Sequence, residues 1–357
     1  MERTTGADPA PAPVVEGVIN GARFAIARPP GAWNHQLLLI AHGYRIESAP
    51  LIPNLHPERL ACHTLLDEGW MVATTSYRRN GMIVADAIDD LDALRARIVH
   101  DYGDLDRTVL LGESMGGLIV TIMAEREPGL YSGAIAIDPA LSASESNMTV
   151  GLSLLPRIPL LFLATQRQFI ATRGYMTALV ARPQPIVPPA LFTIARDGRS
   201  NVNQQELLTA VRALDRWLDD GRGSLPQPAD DARYFDATVP PDPGPSTVAV
   251  RADRRGFTTR ILEIDAATGD VTLDAQPGDF VGAGIELMMF FQLRAGASAY
   301  RVCYGRGLDS VRQGEWVAFG DAEGRTLLAM NFADAAGAAR LRAGDSLTVI
   351  RYDPPPR

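Results

Sequence analysis

Apolar residues follow two alternating patterns along the first 220 residues of the chain. Short, nearly continuous apolar runs are typical of strands buried on both faces of a parallel sheet; they cover residues 36–41, 70–75, 108–111, 133–137, 158–164 and, more weakly, 189–195. Segments with apolar residues three and four apart are typical of amphipathic helices; they lie near residues 57–68, 82–100 and 203–218. Strands that alternate with helices predict an α/β domain with a mostly parallel sheet.

The residues that precede this pattern have a different composition. Residues 1–13 are polar and proline-rich, and we expect them to be disordered. Residues 14–20 and 22–28 then predict two strands of a hairpin, because Asn20-Gly21 between them is a strong signal for a tight turn. The α/β domain is therefore expected to span residues 14–220.

The pattern changes after residue 220. Residues 221–246 are rich in Pro, Asp and Gly, which is typical of a semi-rigid linker between domains. Residues 247–357 contain short strand-like runs separated by turns, and they predict a mostly β accessory domain, a small barrel or a sandwich. We expect the apolar run Leu287–Phe291 to lie in the β core of that domain.

Composition narrows the choice of partners. The formal charge of −8 makes nucleic acid an unsuitable partner, since phosphate binding needs a concentrated basic surface. The chain has no lysine, which excludes a Walker phosphate loop and a pyridoxal Schiff base. No group of Asp, Glu, His or Cys has the spacing of a metal site, so neither a metal nor an organic cofactor is expected. Without a visible signal peptide or membrane span, we expect a cytoplasmic protein that does not bind membranes.

Residues 107–120 read R-T-V-L-L-G-E-S-M-G-G-L-I-V and join a predicted strand directly to an apolar helix. Gly112 to Gly116 has the G-x-S-x-G pattern of a nucleophile elbow, in which Ser114 occupies a very sharp turn. A Cβ at Gly112 or Gly116 would collide with neighbouring backbone. The turn also directs the N–H of Met115 toward an oxyanion on a carbonyl that Ser114 attacks. A tight turn in another kind of doubly wound domain remains the alternative.

Three segments together resemble the α/β-hydrolase superfamily, in particular its bacterial esterase-like members. They are L-L-L-I-A-H-G-Y-R at 37–45, T-S-Y-R-R-N-G at 75–81 and L-G-E-S-M-G-G at 111–117. The resemblance covers about residues 14–220 and implies a serine hydrolase with Ser114 as nucleophile. It further implies an oxyanion hole formed by backbone N–H groups of Gly43 and Tyr44 together with Met115.

The chain departs from this family at the histidine of its Ser-acid-His triad, which follows the nucleophile in the sequence. All five histidines of the chain precede Ser114; they are His35, His42, His56, His63 and His100. The segment where the family carries its histidine is 195–202, which reads A-R-D-G-R-S-N-V and places Arg199 or a neighbour there. Arginine stays protonated and cannot act as a general base.

The acid and the base are therefore open assignments. Asp138, at the end of a predicted strand, is in a position where some members carry the acid, but a turn that ends the strand explains it equally well. His42, or His56 on the following loop, is the candidate for a displaced base. For His42, a structural role at the end of its strand is the alternative.

Two functions follow from these residues. The first is hydrolysis of an ester or another acyl compound through Ser114. The second is a catalytically silent or non-hydrolytic homologue that binds an anionic small molecule, with Arg199 as a ligand for its charge. The C-terminal segments 332–336 and 342–350 are weakly similar to the β domain of S-adenosylmethionine hydroxide adenosyltransferases, from which we infer no adenosyl chemistry. We expect that domain to cover the pocket mouth or to mediate association into a homo-oligomer.

Overall fold

A computed structural model describes residues 12–126, 129–141, 151–166, 168–179, 186–221, 225 and 234–352. The segment predicted to be disordered lies outside these residues apart from Ala12 and Pro13, and the carbonyl of Pro13 accepts a hydrogen bond from the N–H of Arg28. The described residues form two sheets, each with its own apolar core.

The first sheet has nine strands, and most of them are parallel. They are β1 (Val14–Ile19), β2 (Ala22–Ala27), β3 (Gln36–Ala41), β4 (Met71–Thr75), β5 (Arg107–Glu113), β6 (Gly133–Ile137), β7 (Leu160–Thr165), β8 (Ala190–Ile194) and β9 (Phe235–Asp236). Their spatial order is β1-β2-β4-β3-β5-β6-β7-β8-β9, and only the β1–β2 and β2–β4 pairs are antiparallel. The predicted α/β class and the hairpin at Asn20-Gly21 are both confirmed, and these two turn residues have positive φ values of 50° and 89°.

Helices cover both faces of this sheet. They are α1 (Leu60–Asp67), α2 (Val84–Tyr102), α3 (Met115–Arg126), α4 (Phe169–Leu179) and α5 (Gln204–Asp220). One core contains the apolar faces of α2, α3 and α4, and the other contains those of α1 and α5. This arrangement buries almost every side chain of the central strands, which explains why their sequences read as continuous apolar runs.

The second sheet closes into a small barrel. Its elements are β10 (Ala249–Val250), β11 (Gly256–Ile264), β12 (Val271–Leu273), α6 (Pro277–Gly282), β13 (Phe290–Ala295), β14 (Ser298–Tyr304), β15 (Trp316–Gly320), β16 (Thr326–Met330), α7 (Ala335–Ala339) and β17 (Ser346–Arg351). The strand order β10-β11-β12-β16-β15-β14-β13-β17 closes because β17 also pairs with β11. The barrel interior is filled by aromatic and aliphatic side chains, with Phe280 stacked on Tyr304 at 4.6 Å.

Two sequence predictions need correction. Strand β9 lies inside the segment predicted as linker: the N–H of Ala237 bonds to the carbonyl of Thr193, so the first sheet extends beyond residue 220. Leu287, Met288 and Met289 are exposed at 39%, 52% and 36% and precede β13, so only the end of the run Leu287–Phe291 enters the β core. The positive φ of Met288, 67°, breaks the extended conformation that the apolar run had suggested.

The barrel lies against the carboxyl ends of the first sheet. Asn54 donates a hydrogen bond to Asp265 at 2.8 Å, Asp197 pairs with Arg306, and the rings of Tyr44 and Phe332 meet edge to face at 5.4 Å. A further bond joins the Asn201 amide to the carbonyl of Gly320 at 3.1 Å. These contacts involve the loops that follow β3 and β8. Among the described residues, no helix is long and apolar enough to cross a membrane.

Candidate active site

Ser114 lies at the junction of β5 and α3, in a strained backbone conformation. Its φ is +56°, a left-handed value that is uncommon for residues other than glycine. The flanking glycines have no room for a side chain: a Cβ on Gly112 would lie 2.1 Å from the carbonyl oxygen of Gly116. A Cβ on Gly116 would lie 2.0 Å from that of Ala41. The local sequence is therefore the one that this sharp turn requires.

Three backbone N–H groups at the elbow and on the loop beside it make no hydrogen bond within the described part of the chain. The backbone of Gly43 passes beside the turn, since a Cβ added there would lie 3.5 Å from the Ser114 Cβ. The N–H groups of Gly43, Tyr44 and Met115 have no hydrogen-bond acceptor among the described residues. Met115 is also the first residue of α3, where the positive end of the helix dipole adds to the attraction for negative charge.

Asp138 follows β6 and is fully buried under this edge of the sheet. Its carboxylate accepts hydrogen bonds from the N–H of Thr165 at 2.8 Å, from the Thr165 hydroxyl at 2.6 Å and from the N–H of Ser200 at 2.6 Å. Burial raises the pKa of Asp138, while the Thr165 and Ser200 donors act in the opposite direction. Asp138 thus connects the loop after β7 with the loop after β8. Its φ of +39° is positive, which is uncommon for residues other than glycine.

Comparison with known proteins gives a family match for part of the first domain. Residues 78–183 match the family model for serine aminopeptidase, S33. Pyrethroid hydrolase Ces2e from Rattus norvegicus is 24% identical over 57% of this chain, and the chain spans 32% of the length of that relative. Est1E from Butyrivibrio proteoclasticus is 15% identical with a TM-score of 0.40 over 59% of this chain and 99% of that one. A hyperthermophilic esterase from Pyrobaculum calidifontis is 13% identical with a TM-score of 0.40, over 59% and 85% of the two chains.

The strand order of the first sheet, the elbow directly after β5 and the matched segment together identify the architecture. The first domain has the α/β-hydrolase fold. In this fold the catalytic groups lie at the carboxyl ends of the strands, which is where Ser114, Asp138 and the open N–H groups meet.

Ser200 occupies the loop between β8 and α5, where the α/β-hydrolase fold usually carries its histidine. The residue has a φ of +56°, and its N–H is bonded to Asp138 as described above. Its buried hydroxyl oxygen makes no hydrogen bond of normal geometry with the described residues. The loop is fixed at its end by the capping box of α5, in which Asn203 accepts from the N–H of Glu206 at 2.9 Å.

His42 has structural contacts of its own at the end of β3. Its Nδ1 lies 2.7 Å from the carbonyl of Gly43, its ring packs on Tyr77 at 4.0 Å, and its Nε2 is buried without a partner among the described residues. Burial and the nearby Arg45 lower the pKa of His42 to about 3. A ring that resists protonation this strongly is poorly suited to accept a proton, so the geometry favours a structural role over the predicted catalytic one.

The remaining histidines have other partners. The ring nitrogens of His56 lie 3.0 Å from Glu58 and 3.0 Å from Asn54, at the contact with the barrel. His63 pairs with Asp67 and His100 with Asp101 on exposed helix surfaces, and His35 bonds to the carbonyl of Asp104 beyond the opposite end of β3. No hydrogen bond joins any of these rings to Ser114 in the described part of the chain.

Arg199, the predicted ligand for an anionic group, is exposed on the loop between β8 and α5. Its positive charge offsets part of the rise that burial causes in the pKa of both Glu113 and Asp138. Its guanidinium has neither an ion pair nor a hydrogen bond within the described ranges. Nearby, a cleft of about 290 Å³ opens at the carboxyl ends of β7, β8 and β9, and it is lined by Ala164, Gln166, Phe169, Thr193, Ile194, Ala195 and Asp236.

Glu113 is the site residue that sequence reasoning missed. It stands directly before Ser114, and burial raises its pKa to about 7. No sequence signal marks it, because an exposed polar residue at the end of an apolar strand is ordinary. Across the described residues, no group of three or more His, Cys, Asp or Glu side chains could hold a metal ion.

Proposed function

We propose that this chain is a serine-dependent hydrolase that acts on an ester or another acyl compound. The observation that carries the proposal is the strained elbow at Ser114, which is surrounded by three open N–H groups. Strain of this kind persists only where the surrounding structure enforces it, and it is concentrated at functional sites. The matched family segment, residues 78–183, includes the whole elbow and supports the same reading.

In the proposed reaction the Ser114 hydroxyl attacks the acyl carbonyl and loses its proton to a base. The carbonyl oxygen becomes an oxyanion, and the N–H groups of Gly43, Tyr44 and Met115 stabilise it. Each donor of this kind contributes about 3 kcal/mol in the transition state. The leaving alcohol departs with a proton, and water then hydrolyses the acyl group from Ser114.

Asp138 enters this proposal as a positioning residue. In the fold it stands near the place of the triad acid, but its three donors are Thr165 and the backbone of Ser200 rather than an imidazole. We assign it the role of fixing the loop 195–203 against the site. His42 is assigned a structural role beneath Gly43, whose carbonyl it contacts.

One observation supports the second function, binding of an anionic small molecule. The guanidinium of Arg199 is exposed and makes no ion pair with the described residues. A chain that has the elbow but no effective general base would not hydrolyse an ester. It would instead use the same pocket to bind a small molecule that carries a carboxylate. The barrel would then complete the binding site, since its Asp265 and Phe332 lie near the loops of the first domain. The weak C-terminal resemblance adds no step to either function.

Hydrolysis of a short-chain p-nitrophenyl ester by the wild type and by Ser114→Ala tests the first function. The matched control is Ser298→Ala, because Ser298 is exposed in the β13–β14 hairpin, far along the chain from the elbow. We expect turnover that falls at least about 100-fold in Ser114→Ala and is unchanged in Ser298→Ala. Equal, near-background rates for all three proteins would contradict hydrolysis and favour the second function.

The second function has its own measurement. Succinate, a short dicarboxylate, is titrated into the wild type and into Arg199→Gln, and heat of binding is recorded. Binding that weakens about tenfold in the variant would support a carboxylate site at Arg199. Identical titrations would exclude this role for the residue.

A further inference from the structure

The barrel contacts the loop 195–203, which joins β8 to α5, in both of its halves. In the first half, the carboxylate of Asp197 pairs with the guanidinium of Arg306. In the second half, the side-chain amide of Asn201 donates a hydrogen bond to the carbonyl of Gly320 at 3.1 Å. The loop that occupies the position of the family's histidine is therefore held by side chains and backbone of the second domain.

Two glycines bring the backbones of the two domains together at this loop. A Cβ on Gly307 of the barrel would lie 3.5 Å from the Cα of Gly198, and one on Gly198 would lie 3.2 Å from the carbonyl oxygen of Arg306. Gly198 has a φ of +94°, a left-handed value that favours glycine, whereas Gly307 has an extended φ of 167°. A larger side chain at position 307 would therefore push the loop and the barrel apart.

Asn201 joins this contact to the rest of the loop. Its side-chain amide also donates to the carbonyl of Asp197 at 2.8 Å, and its own carbonyl accepts a hydrogen bond from the guanidinium of Arg196 at 2.8 Å. Asn201 is only 9% exposed, so water cannot easily replace these bonds. Loss of its amide would leave the carbonyls of Asp197 and Gly320 without this donor, which is costly at a buried position.

The same loop is connected to the elbow through Asp138. The N–H of Ser200 donates to the buried carboxylate of Asp138 at 2.6 Å. Residues beside Asp138 hold the backbone of the elbow, because the N–H of Ser114 donates to the carbonyl of Ile137 at 3.0 Å and its carbonyl accepts from the N–H of Ala140 at 3.0 Å. A strained conformation such as that of Ser114 persists only where its neighbours enforce it. A continuous series of contacts thus runs from the barrel to the candidate nucleophile.

We propose that the barrel is part of the active centre and that Asn201 is the positioning residue through which it acts. The barrel holds the loop 195–203 on Asp138, and Asp138 with its neighbours keeps the elbow in the geometry that Ser114 needs to attack an acyl carbonyl. The inference rests on the proposed hydrolase function and adds to it a role for the second domain. A displacement of about 1 Å can lower a rate about 100-fold, so loss of this support should slow the chemical step more than it weakens substrate binding.

Substitution of Asn201 tests the connection from the side of the first domain. Asn201→Ala removes both donor bonds, and Asn201→Asp keeps the size of the side chain but replaces the amide with a carboxylate. With an uncharged p-nitrophenyl ester, we expect kcat to fall about tenfold in both variants, while KM changes by less than about twofold. The matched control is Asn34→Ala, which loses two side-chain hydrogen bonds, to Glu68 and Gln36, at the amino end of β3. Its kcat should be unchanged, and Asn201 variants with the kcat of the wild type would overturn the proposal.

A change within the barrel tests whether the second domain is responsible. Gly307→Leu adds a side chain against Gly198 without straining its own extended backbone. Gly278→Leu is the matched control, because residue 278 is exposed in α6 and nothing lies within 4 Å of a Cβ there. Hydrogen exchange of peptides that span residues 195–203 reports on the bond from Ser200 to Asp138 and needs no substrate. We expect faster exchange and a kcat about tenfold lower in Gly307→Leu, and wild-type values of both in Gly278→Leu.

The outcomes separate the positioning claim from the hydrolase function. A wild type that neither turns over the ester nor reacts at Ser114 with an alkyl fluorophosphonate overturns the hydrolase function and, with it, the positioning of Ser114. An active wild type together with a Gly307→Leu variant of equal kcat overturns the positioning claim alone. A fall in kcat without faster exchange at residues 195–203 also overturns it, because the barrel would then act by another route. Should Gly307→Leu fail to fold, the Asn201 variants that circular dichroism shows to be folded still decide the question.

Discussion

At the scale of single residues, the elbow is a place where sequence determines geometry almost completely. Gly112 and Gly116 are required because the space beside each is filled by the backbone of another segment. For this reason the turn and the open N–H of Met115 could be predicted from the G-x-S-x-G pattern, while the role of Ser114 as nucleophile stays a proposal. The raised pKa of Glu113 could not be predicted, because it depends in part on Ser200 and Asp265, which are distant in the chain.

Replacing Gly116 with alanine tests the packing at the elbow. The new Cβ would lie 2.0 Å from the carbonyl oxygen of Ala41, and relieving that overlap must shift backbone. We expect the free energy of unfolding to fall by at least about 2 kcal/mol in urea titrations. Gly174→Ala is the matched control, since nothing lies within 4 Å of its added Cβ in α4; it should gain about 0.5–1 kcal/mol. An equal effect of both changes would refute the argument.

The raised pKa of Glu113 also predicts how stability depends on pH. Its pKa is about 7 in the folded protein and near 4.5 ordinarily, so the fold favours the protonated carboxyl. The stabilising contribution is complete below about pH 4.5 and is lost as pH rises through about 7. Relative to Glu113→Gln, the wild-type Tm should therefore decline across this window in thermal scans. Parallel Tm curves for the two proteins would show that Glu113 is not perturbed.

At the scale of elements, predictions succeeded where burial on both faces leaves a continuous apolar run. Strands β3, β6 and β8 were found this way within a residue or two. Helix α4 and strand β16 were missed, because each is short and depends on packing against neighbours rather than on its own periodicity. The stretch Leu287–Met289 was predicted to lie in the β core but is exposed, since an apolar run does not by itself show whether other elements cover it.

The N-terminus of α5 carries a prediction at this scale. Asn203 caps the helix through Glu206 and donates a second bond to the carbonyl of Val239 at 2.9 Å. Asn203→Ala should lower the free energy of unfolding by about 1–2 kcal/mol in a denaturant titration, because both bonds are lost. Gln205 is exposed and lies two residues after Asn203 in the first turn of α5. Gln205→Ala should change the free energy of unfolding by less than about 0.5 kcal/mol. A cap variant as stable as this control would argue against the capping box.

At the scale of the whole molecule, the barrel completes the surroundings of the site. Asp265 on its surface bonds to Asn54 and lies within electrostatic range of Glu113, and the ring of Phe332 meets that of Tyr44 on the loop after β3. The sequence predicted two domains, but not this contact. Its residues are separated by more than half the chain and show no periodicity that would link them. The ninth strand of the first sheet was hidden in the proline-rich segment for the same reason.

Asn54→Asp tests whether this contact holds the domains together. The change removes the donor to Asp265 at 2.8 Å and puts a second carboxylate beside it. We expect a loss of about 2 kcal/mol or more and faster limited proteolysis of residues 221–246. Arg59→Ala removes an exposed pair with Glu263 at the same contact and should cost less than about 1 kcal/mol. Resistance of Asn54→Asp to protease, equal to that of the wild type, would contradict a stabilising interface.

The central claim, that Ser114 is an activated nucleophile, is tested most directly by trapping its acyl-enzyme. The protein is mixed with a short-chain p-nitrophenyl ester, quenched in acid and digested, and the acylated peptide is identified by mass spectrometry. Since the chain has no lysine, acylation of side-chain amines cannot obscure the result. The account predicts an acyl group on Ser114 that is absent from Ser114→Ala. A wild type without acylation at Ser114 under conditions of ester turnover would contradict it.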